Sequence, residues 1–182
     1  EIYFAWQGGE PTLAGVDFFR KAVALQKKYA NGKKIENGLQ TNGTLLNDEW
    51  GEFLAENDFL IGLSIDGPPR LHDHYRIDKN GGASFQKVMA GLEAVKKHNV
   101  RFNTLTVLNR KNADHPLKVY RFLKDIGSQF MQFIPIIERK PDDMARRDNL
   151  DFAGPPALDE FADEDSPVEP FSVQPLQFGR FL

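Results

Sequence analysis

The apolar positions of this chain fall into two alternating patterns, short unbroken runs and stripes at spacings of three and four. Ile2–Trp6 is an apolar and aromatic run halted by Gly8-Gly9, which predicts a buried strand. Val16–Tyr29 then predicts a helix with Phe18, Ala22, Leu25 and Tyr29 on its core stripe, flanked by Phe19 and Val23. Lys34–Thr41 predicts a second strand, closed by Asn42-Gly43. Asn47 reads as the N-cap of a helix carrying Phe53 and Leu54, with Asp48 and Glu49 in the favourable first turn. A third strand, Phe59–Ile65, is closed by Asp66-Gly67-Pro68-Pro69. Ser84 is placed to cap the most regular helix, whose Phe85, Val88, Met89, Leu92 and Val95 share a face. Arg101–Leu108 predicts a fourth strand, and Asp114 the cap of a helix carrying Leu117, Tyr120 and Leu123 before Gly127. Gln129–Ile134, broken by Pro135, predicts the fifth strand. Strict strand–helix alternation requires a parallel sheet with right-handed crossovers, so the fold class is α/β, doubly wound or barrel-like.

Composition narrows the possibilities. Apolar residues make up 41% of the 182, with fifteen Phe, enough for a packed core. No apolar run approaches the roughly 18 residues of a membrane span, and a net charge of -3 argues against a nucleic-acid surface. Cysteine is absent, which excludes a disulfide, a thiol nucleophile and a cysteine-held cluster within these residues. The first residue is Glu1 and the chain opens directly in an apolar run, so it reads as an excerpt. Residues 141–182 hold 10 acidic against 3 basic residues and 6 of the 11 prolines. This shift divides the chain into a structured unit, 1–140, and an acidic, Pro-rich stretch, 141–182.

Candidate chemistry collects after the strands, where parallel α/β folds bind ligands. The first strand runs into Gln7-Gly8-Gly9-Glu10, the second ends in Gln40-Thr41-Asn42, the third in Ser64-Ile65-Asp66, and the fourth reaches Asn109. Two glycines allow close approach to the backbone, and the Glu10 carboxylate suits a ligand ammonium; a tight turn with Glu10 opening a helix is the simpler alternative. His72-Asp73-His74-Tyr75-Arg76 is open to three readings: a metal site, a clamp in which Arg76 holds a carboxylate bidentately, or a solvated loop. No serine-hydrolase elbow, P-loop or dinucleotide fingerprint is present.

Read in order, these segments resemble the radical S-adenosylmethionine enzymes, and most closely their anaerobic sulfatase-maturating branch. The residues carrying the resemblance are Trp6-Gln7-Gly8-Gly9-Glu10-Pro11-Thr12-Leu13, Leu39-Gln40-Thr41-Asn42-Gly43-Thr44, Gly62-Leu63-Ser64-Ile65-Asp66-Gly67-Pro68 and His72-Asp73-x-x-Arg76. Gly82-x-Ser84-Phe85, Phe102-Asn103-x-Leu105-x-Val107-x-Asn109 and the terminal Val173–Leu182 continue it.

The resemblance implies a partial (β/α)6 barrel in which residues 1–138 supply strands two to six. It also implies a [4Fe–4S] cluster that reductively cleaves S-adenosylmethionine. The resulting 5′-deoxyadenosyl radical takes hydrogen from a Cys or Ser of a sulfatase polypeptide, which is oxidised to Cα-formylglycine. Carried over residue by residue, Gly8, Gly9 and Glu10 match the motif that holds the methionyl ammonium, while Ser64 and Arg76 match the carboxylate-binding residues. Gln40, Thr41 and Asn42 would line the mouth near the cofactor, and Asn109 would flank the adenine and ribose. The acidic 141–172 stretch would face the peptide. An electron donor such as a flavodoxin or ferredoxin and a cytoplasmic location are implied too. The family's CxxxCxxC loop, its C-terminal cluster domain and its catalytic carboxylate have no counterpart in these residues, so no catalytic residue is assigned. Three rivals remain at this level: another peptide-modifying radical enzyme, a cluster-free module that binds a nucleotide or peptide, and a metal-dependent hydrolase using His72, Asp73 and His74.

Overall fold

The computed structural model describes residues 1–154 and 168–182. Chain contacts divide it into two compact units, residues 1–106 with 117–133, and residues 107–116 with 134–182.

The sheet, in the first unit but for the last two residues of its fourth and fifth strands, grows strictly in chain order: β1 (Ile2–Trp6), β2 (Ile35–Thr41), β3 (Leu60–Ser64), β4 (Arg101–Leu108) and β5 (Met131–Pro135). β1–β2, β2–β3 and β3–β4 are parallel, in registers that set Gly38 beside Leu60 and Gln40 beside Gly62. A doubly wound sheet reverses direction at a switch point, and this order never reverses. Right-handed crossovers that always advance place every helix on one face, which is the wall of a partial (β/α) barrel.

The strands alternate accordingly. Leu39, Ile61 and Leu63 are buried toward the helices, while Gln40, Gly62 and Ser64 on the other face are only half-buried. The helical layer comprises α1 (Val16–Tyr29), α2 (Asp48–Glu56), α4 (Phe85–Lys97) and α5 (Pro116–Asp125), with a single turn, α3, at Pro69–His72. An aromatic cluster seals the first part of this layer, with Phe19 edge-on to Trp6 and Trp50 at 5.2 and 5.4 Å and Phe53 against Phe59 at 5.5 Å.

Most element boundaries match the sequence pattern, and Asn47 caps α2 through its side chain, which accepts from the Trp50 amide at 3.0 Å. Two helix faces differ from expectation. On α1 the buried residues are Val16, Phe19 and Val23, whereas Phe18 is 47% and Tyr29 66% exposed. On α5, Val119 and Leu123 are buried while Leu117 and Tyr120 face outward. Ser84 stands at the N-cap of α4 but makes no cap bond; Asp73 does that work, accepting from the Ser84 and Phe85 amides at 3.0 and 2.8 Å.

The second unit is tied by backbone bonds from Ile136 to Leu108, Val173 to Ile136 and Arg110 to Phe171. It carries two short helices, α6 (Asp143–Arg147) and α7 (Pro175–Phe181), and Gln174 and Gln177 form a capping box on α7. Residues 155–167, within the acidic stretch expected to face a peptide, lie outside the described residues.

Two features of the first unit position the loops above the sheet. Gly91 lets α4 lie against the turn after β2, because a Cβ there would overlap the carbonyl oxygen of Gly43. His72 is buried, and hydrogen-bond bookkeeping fixes its tautomer. The Ser84 hydroxyl donates to the Arg76 carbonyl at 2.6 Å, so it accepts from His72 Nε2–H at 3.0 Å. Nδ1 then accepts from the Asp66 amide at 3.3 Å. A second ring proton would meet that amide head-on. Burial pushes the His72 pKa down to about 4, with Asp66 opposing and Arg76 adding to the shift.

Two outcomes follow. In an exposed helix, Gly→Ala stabilises by about 1 kcal/mol. Here the overlap with backbone reverses the sign, and Gly91→Ala should cost about 1–3 kcal/mol in urea unfolding. Because the folded pKa of His72 lies below the ordinary 6.5, the unfolded chain binds a proton that the folded one refuses. Its contribution is therefore complete above about pH 6.5 and is lost as the pH falls toward 4, by up to about 3 kcal/mol. An NMR titration should find the His72 ring neutral at pH 5.5, and a normal titration near 6.5 would contradict the placement.

Candidate functional site

The strand ends are laced together by side chains. After β1 the backbone turns through Gly8 and Gly9 at φ of 94° and 32°, the left-handed region that favours glycine, and delivers Glu10. Glu10 caps the 3-10 turn Pro11–Ala14, its Oε1 accepting from the amide and hydroxyl of Thr12 at 3.0 and 2.6 Å. The same oxygen accepts from the Thr41 hydroxyl at 2.7 Å, and Oε2 accepts from the Asn42 amide at 2.8 Å. One carboxylate thus joins the end of β1 to the end of β2. Asn42 Oδ1 in turn accepts from the amide and hydroxyl of Thr44, at 2.9 and 2.7 Å.

Further along, Gln40 donates to Ser64 across β2 and β3 at 3.0 Å, and the Thr106 hydroxyl of β4 donates to the Ile65 carbonyl at 2.7 Å. Asp66, just past β3, has a side chain only 4% exposed and receives Arg76 as a fork, Nε to Oδ2 at 2.6 Å and Nη2 to Oδ1 at 3.1 Å. Arg76 does hold a carboxylate bidentately, and that carboxylate is the protein's own Asp66. The fork uses one edge of the guanidinium; the Nη1/Nη2 edge has no partner among the described residues.

A cavity of about 420 Å³ opens beneath these ends, within the ~300–1,000 Å³ range of small-molecule sites. Glu10, Asn42, Ser64 and Arg76 all line it, with Leu13 and Ile77 supplying apolar wall. The residues lining the cavity thus carry a guanidinium, a hydroxyl and a carboxylate, groups that together complement an α-amino acid zwitterion.

The other residues singled out in the sequence stand elsewhere. Gln40 lines a separate cavity of about 200 Å³ on the sheet's inner face, with Tyr3, Gly62, Asn103 and Gln132. Thr41 is buried and spends its hydroxyl on Glu10. Gly8 and Gly9 shape the turn that carries Glu10. Asn109 belongs to the second unit, where its Oδ1 accepts from the Lys111 and Asn112 amides at 2.9 and 3.0 Å. The metal-hydrolase alternative is corrected by the same bookkeeping. His72 Nδ1 and Asp73 Oδ1 accept from backbone amides, His74 packs on Tyr75 at 4.5 Å, and no acidic or histidine cluster among the described residues can hold a metal. The His72–Asp66–Arg76–Ser84 connection was not evident from sequence. Its motif spacing is visible, but its acceptors point inward to the chain rather than outward to a ligand.

Comparison with known proteins agrees with the fold. Residues 2–123 match the family model of the radical SAM superfamily. Over 182 residues the chain is 46% identical to the serine-type anaerobic sulfatase-maturating enzyme of Bacteroides thetaiotaomicron, covering all of this chain and 42% of that protein. It is 48% identical over 142 residues to the cysteine-type enzyme of Clostridium perfringens, covering 75% of this chain and 38% of that one. Among solved structures, a hexahistidine-tagged form of anSMEcpe with bound AdoMet superposes with a TM-score of 0.78 at 38% identity, over 98% of this chain and 42% of the other. Native anSMEcpe with bound AdoMet and Cp18Cys peptide gives 0.72 at 47% identity, over 77% and 40%. The chain thus spans about two fifths of the relatives it matches. With the singly wound sheet, the laced strand ends and these matches in agreement, the chain belongs to the radical SAM superfamily.

Proposed function

We propose that residues 1–140 form the S-adenosylmethionine-binding side of a radical enzyme that oxidises a Cys or Ser of a sulfatase polypeptide to Cα-formylglycine. Residues 141–182 would form its substrate-facing side. The observation that carries the reading is the single cavity shared by Glu10, Ser64 and Arg76. The names of the relatives supply the reaction class, since both serine-type and cysteine-type sulfatase-maturating enzymes are among them.

The residues present fit the methionyl end of S-adenosylmethionine. The outer guanidinium edge of Arg76 and the Ser64 hydroxyl receive the carboxylate, held in place because Asp66 fixes the inner edge. Glu10 Oε2, which accepts one hydrogen bond from the chain, takes the ammonium. Asn109, its side chain consumed by its own turn, acts by fixing the backbone around residues 107–112. When bound, this cofactor supplies the hydrogen-abstracting radical of the family's chemistry. The [4Fe–4S] cluster is a different case: no cysteine is present, so these residues do not hold it. No helix among the described residues is long and apolar enough to cross a membrane. A flavodoxin or ferredoxin donor and a cytoplasmic location suit a reaction that consumes low-potential electrons and S-adenosylmethionine.

The test of function is the intact protein, reconstituted anaerobically and supplied with reductant, S-adenosylmethionine and a sulfatase-derived peptide. Mass spectrometry should find an aldehyde at the target Cys or Ser; cofactor cleavage without peptide oxidation would refute the sulfatase assignment. The cofactor site is tested by Arg76→Lys, because an ammonium cannot clamp Asp66 and present a second edge together. Arg76→Ala is less informative, since it strands a buried carboxylate. S-adenosylmethionine binding to Arg76→Lys should weaken by about 1.5–3 kcal/mol, and an unchanged Kd would contradict the assignment.

A further inference from the structure

We infer that Gln40 is a positioning residue that acts through Ser64, fixing the direction of the Ser64 hydroxyl proton rather than touching the cofactor itself. The inference rests on the reading above, in which Ser64 receives the methionyl carboxylate.

Gln40 lies on the inner face of β2, outside the cavity that Glu10, Ser64 and Arg76 share. Its side chain runs across the sheet, over Gly62 of β3, to reach Ser64. Register places Gln40 directly beside Gly62, and a Cβ at Gly62 would overlap the Gln40 amide oxygen. Gly62 is therefore the gap through which Gln40 reaches its partner. Its backbone needs no glycine, because its φ is not among the positive values, so the close approach is what requires it.

The bond has a definite direction. Gln40 Nε2 donates to Ser64 Oγ at 3.0 Å, so the serine oxygen is the acceptor. A hydroxyl carries one proton, and this bond does not use it. With an N–H on one side, the Ser64 proton turns away from Gln40, which leaves it for a ligand in the cavity that Ser64 lines. Left alone, a serine hydroxyl rotates freely and presents either a donor or a lone pair to a ligand. A carboxylate accepts a donor and is repelled by a lone pair. Gln40 removes that choice before the ligand arrives, and Gly62 lets it do so.

This makes a coupling prediction that a role in packing does not. Ser64→Ala in the intact, reconstituted protein should weaken S-adenosylmethionine binding by roughly tenfold to a hundredfold, the loss of a hydrogen bond to a charged group. Gln40→Met keeps the length and neutrality of the side chain and removes the donor. It should weaken binding in the otherwise wild-type protein, and add nothing in the Ser64→Ala background. If Gln40→Met fails to fold, Gly62→Ala displaces the amide with Gln40 intact and should show the same dependence on Ser64. An equal effect of Gln40→Met in both backgrounds, or none in either, overturns the inference while leaving the cofactor reading in place. An unchanged Kd for Ser64→Ala overturns the carboxylate placement, and the inference with it.

Discussion

A carboxylate at the end of one strand accepts four hydrogen bonds, and the arrangement of the whole rim depends on it. Glu10 takes the amide and hydroxyl of Thr12, the hydroxyl of Thr41 and the amide of Asn42. Parallel strands bond to one another along their lengths but leave their last amides unmatched as the chains diverge into separate loops. One charged acceptor satisfies several of these donors at once, and charge-assisted bonds are the strong ones. The same device recurs two strands along, where Asp66 is held by Arg76 and by the backbone contact with His72. Between the two carboxylates stand Asn42 and Ser64, on ends that are now held in fixed relation.

In the proposed reading the rim does two jobs with one set of residues. On that reading Glu10, most of whose acceptor capacity is used by the chain, keeps Oε2 capacity for a ligand, and Arg76, with one edge on Asp66, offers the other. Groups used in this way are preorganised. Their orientation costs nothing further when a ligand binds, because folding has already fixed it. A cavity whose polar groups were all free would need to order them at that moment.

Much of this fold was legible in the sequence because its signals are local. Asn47 followed by Asp48 and Glu49 announces a helix start, and the cap forms as expected. Unbroken runs such as Arg101–Leu108 announce strands, and the boundaries hold. The faces of α1 and α5 were not legible. Apolar residues wrap most of the α1 cylinder, so Phe18-Ala22-Leu25 and Val16-Phe19-Val23 are both plausible stripes, and only the sheet beneath decides between them. The site was half legible for a similar reason. The residues at the strand ends are visible as types, but their partners are far along the chain, 31 residues for Glu10 and Thr41. Asp73 capping α4 from outside its own segment, and Gln40 reaching across Gly62, depend on register and packing that spacing does not encode.

In the proposed reading, the laced strand ends build one cavity for the methionyl end of S-adenosylmethionine. A crystal structure of the intact protein with that cofactor tests it most directly. The methionyl carboxylate should lie against Ser64 and the outer edge of Arg76 and the ammonium at Glu10 Oε2, with the Arg76–Asp66 fork unbroken. A cofactor whose carboxylate displaces Asp66 from Arg76, or whose methionyl end lies away from Glu10, would contradict it.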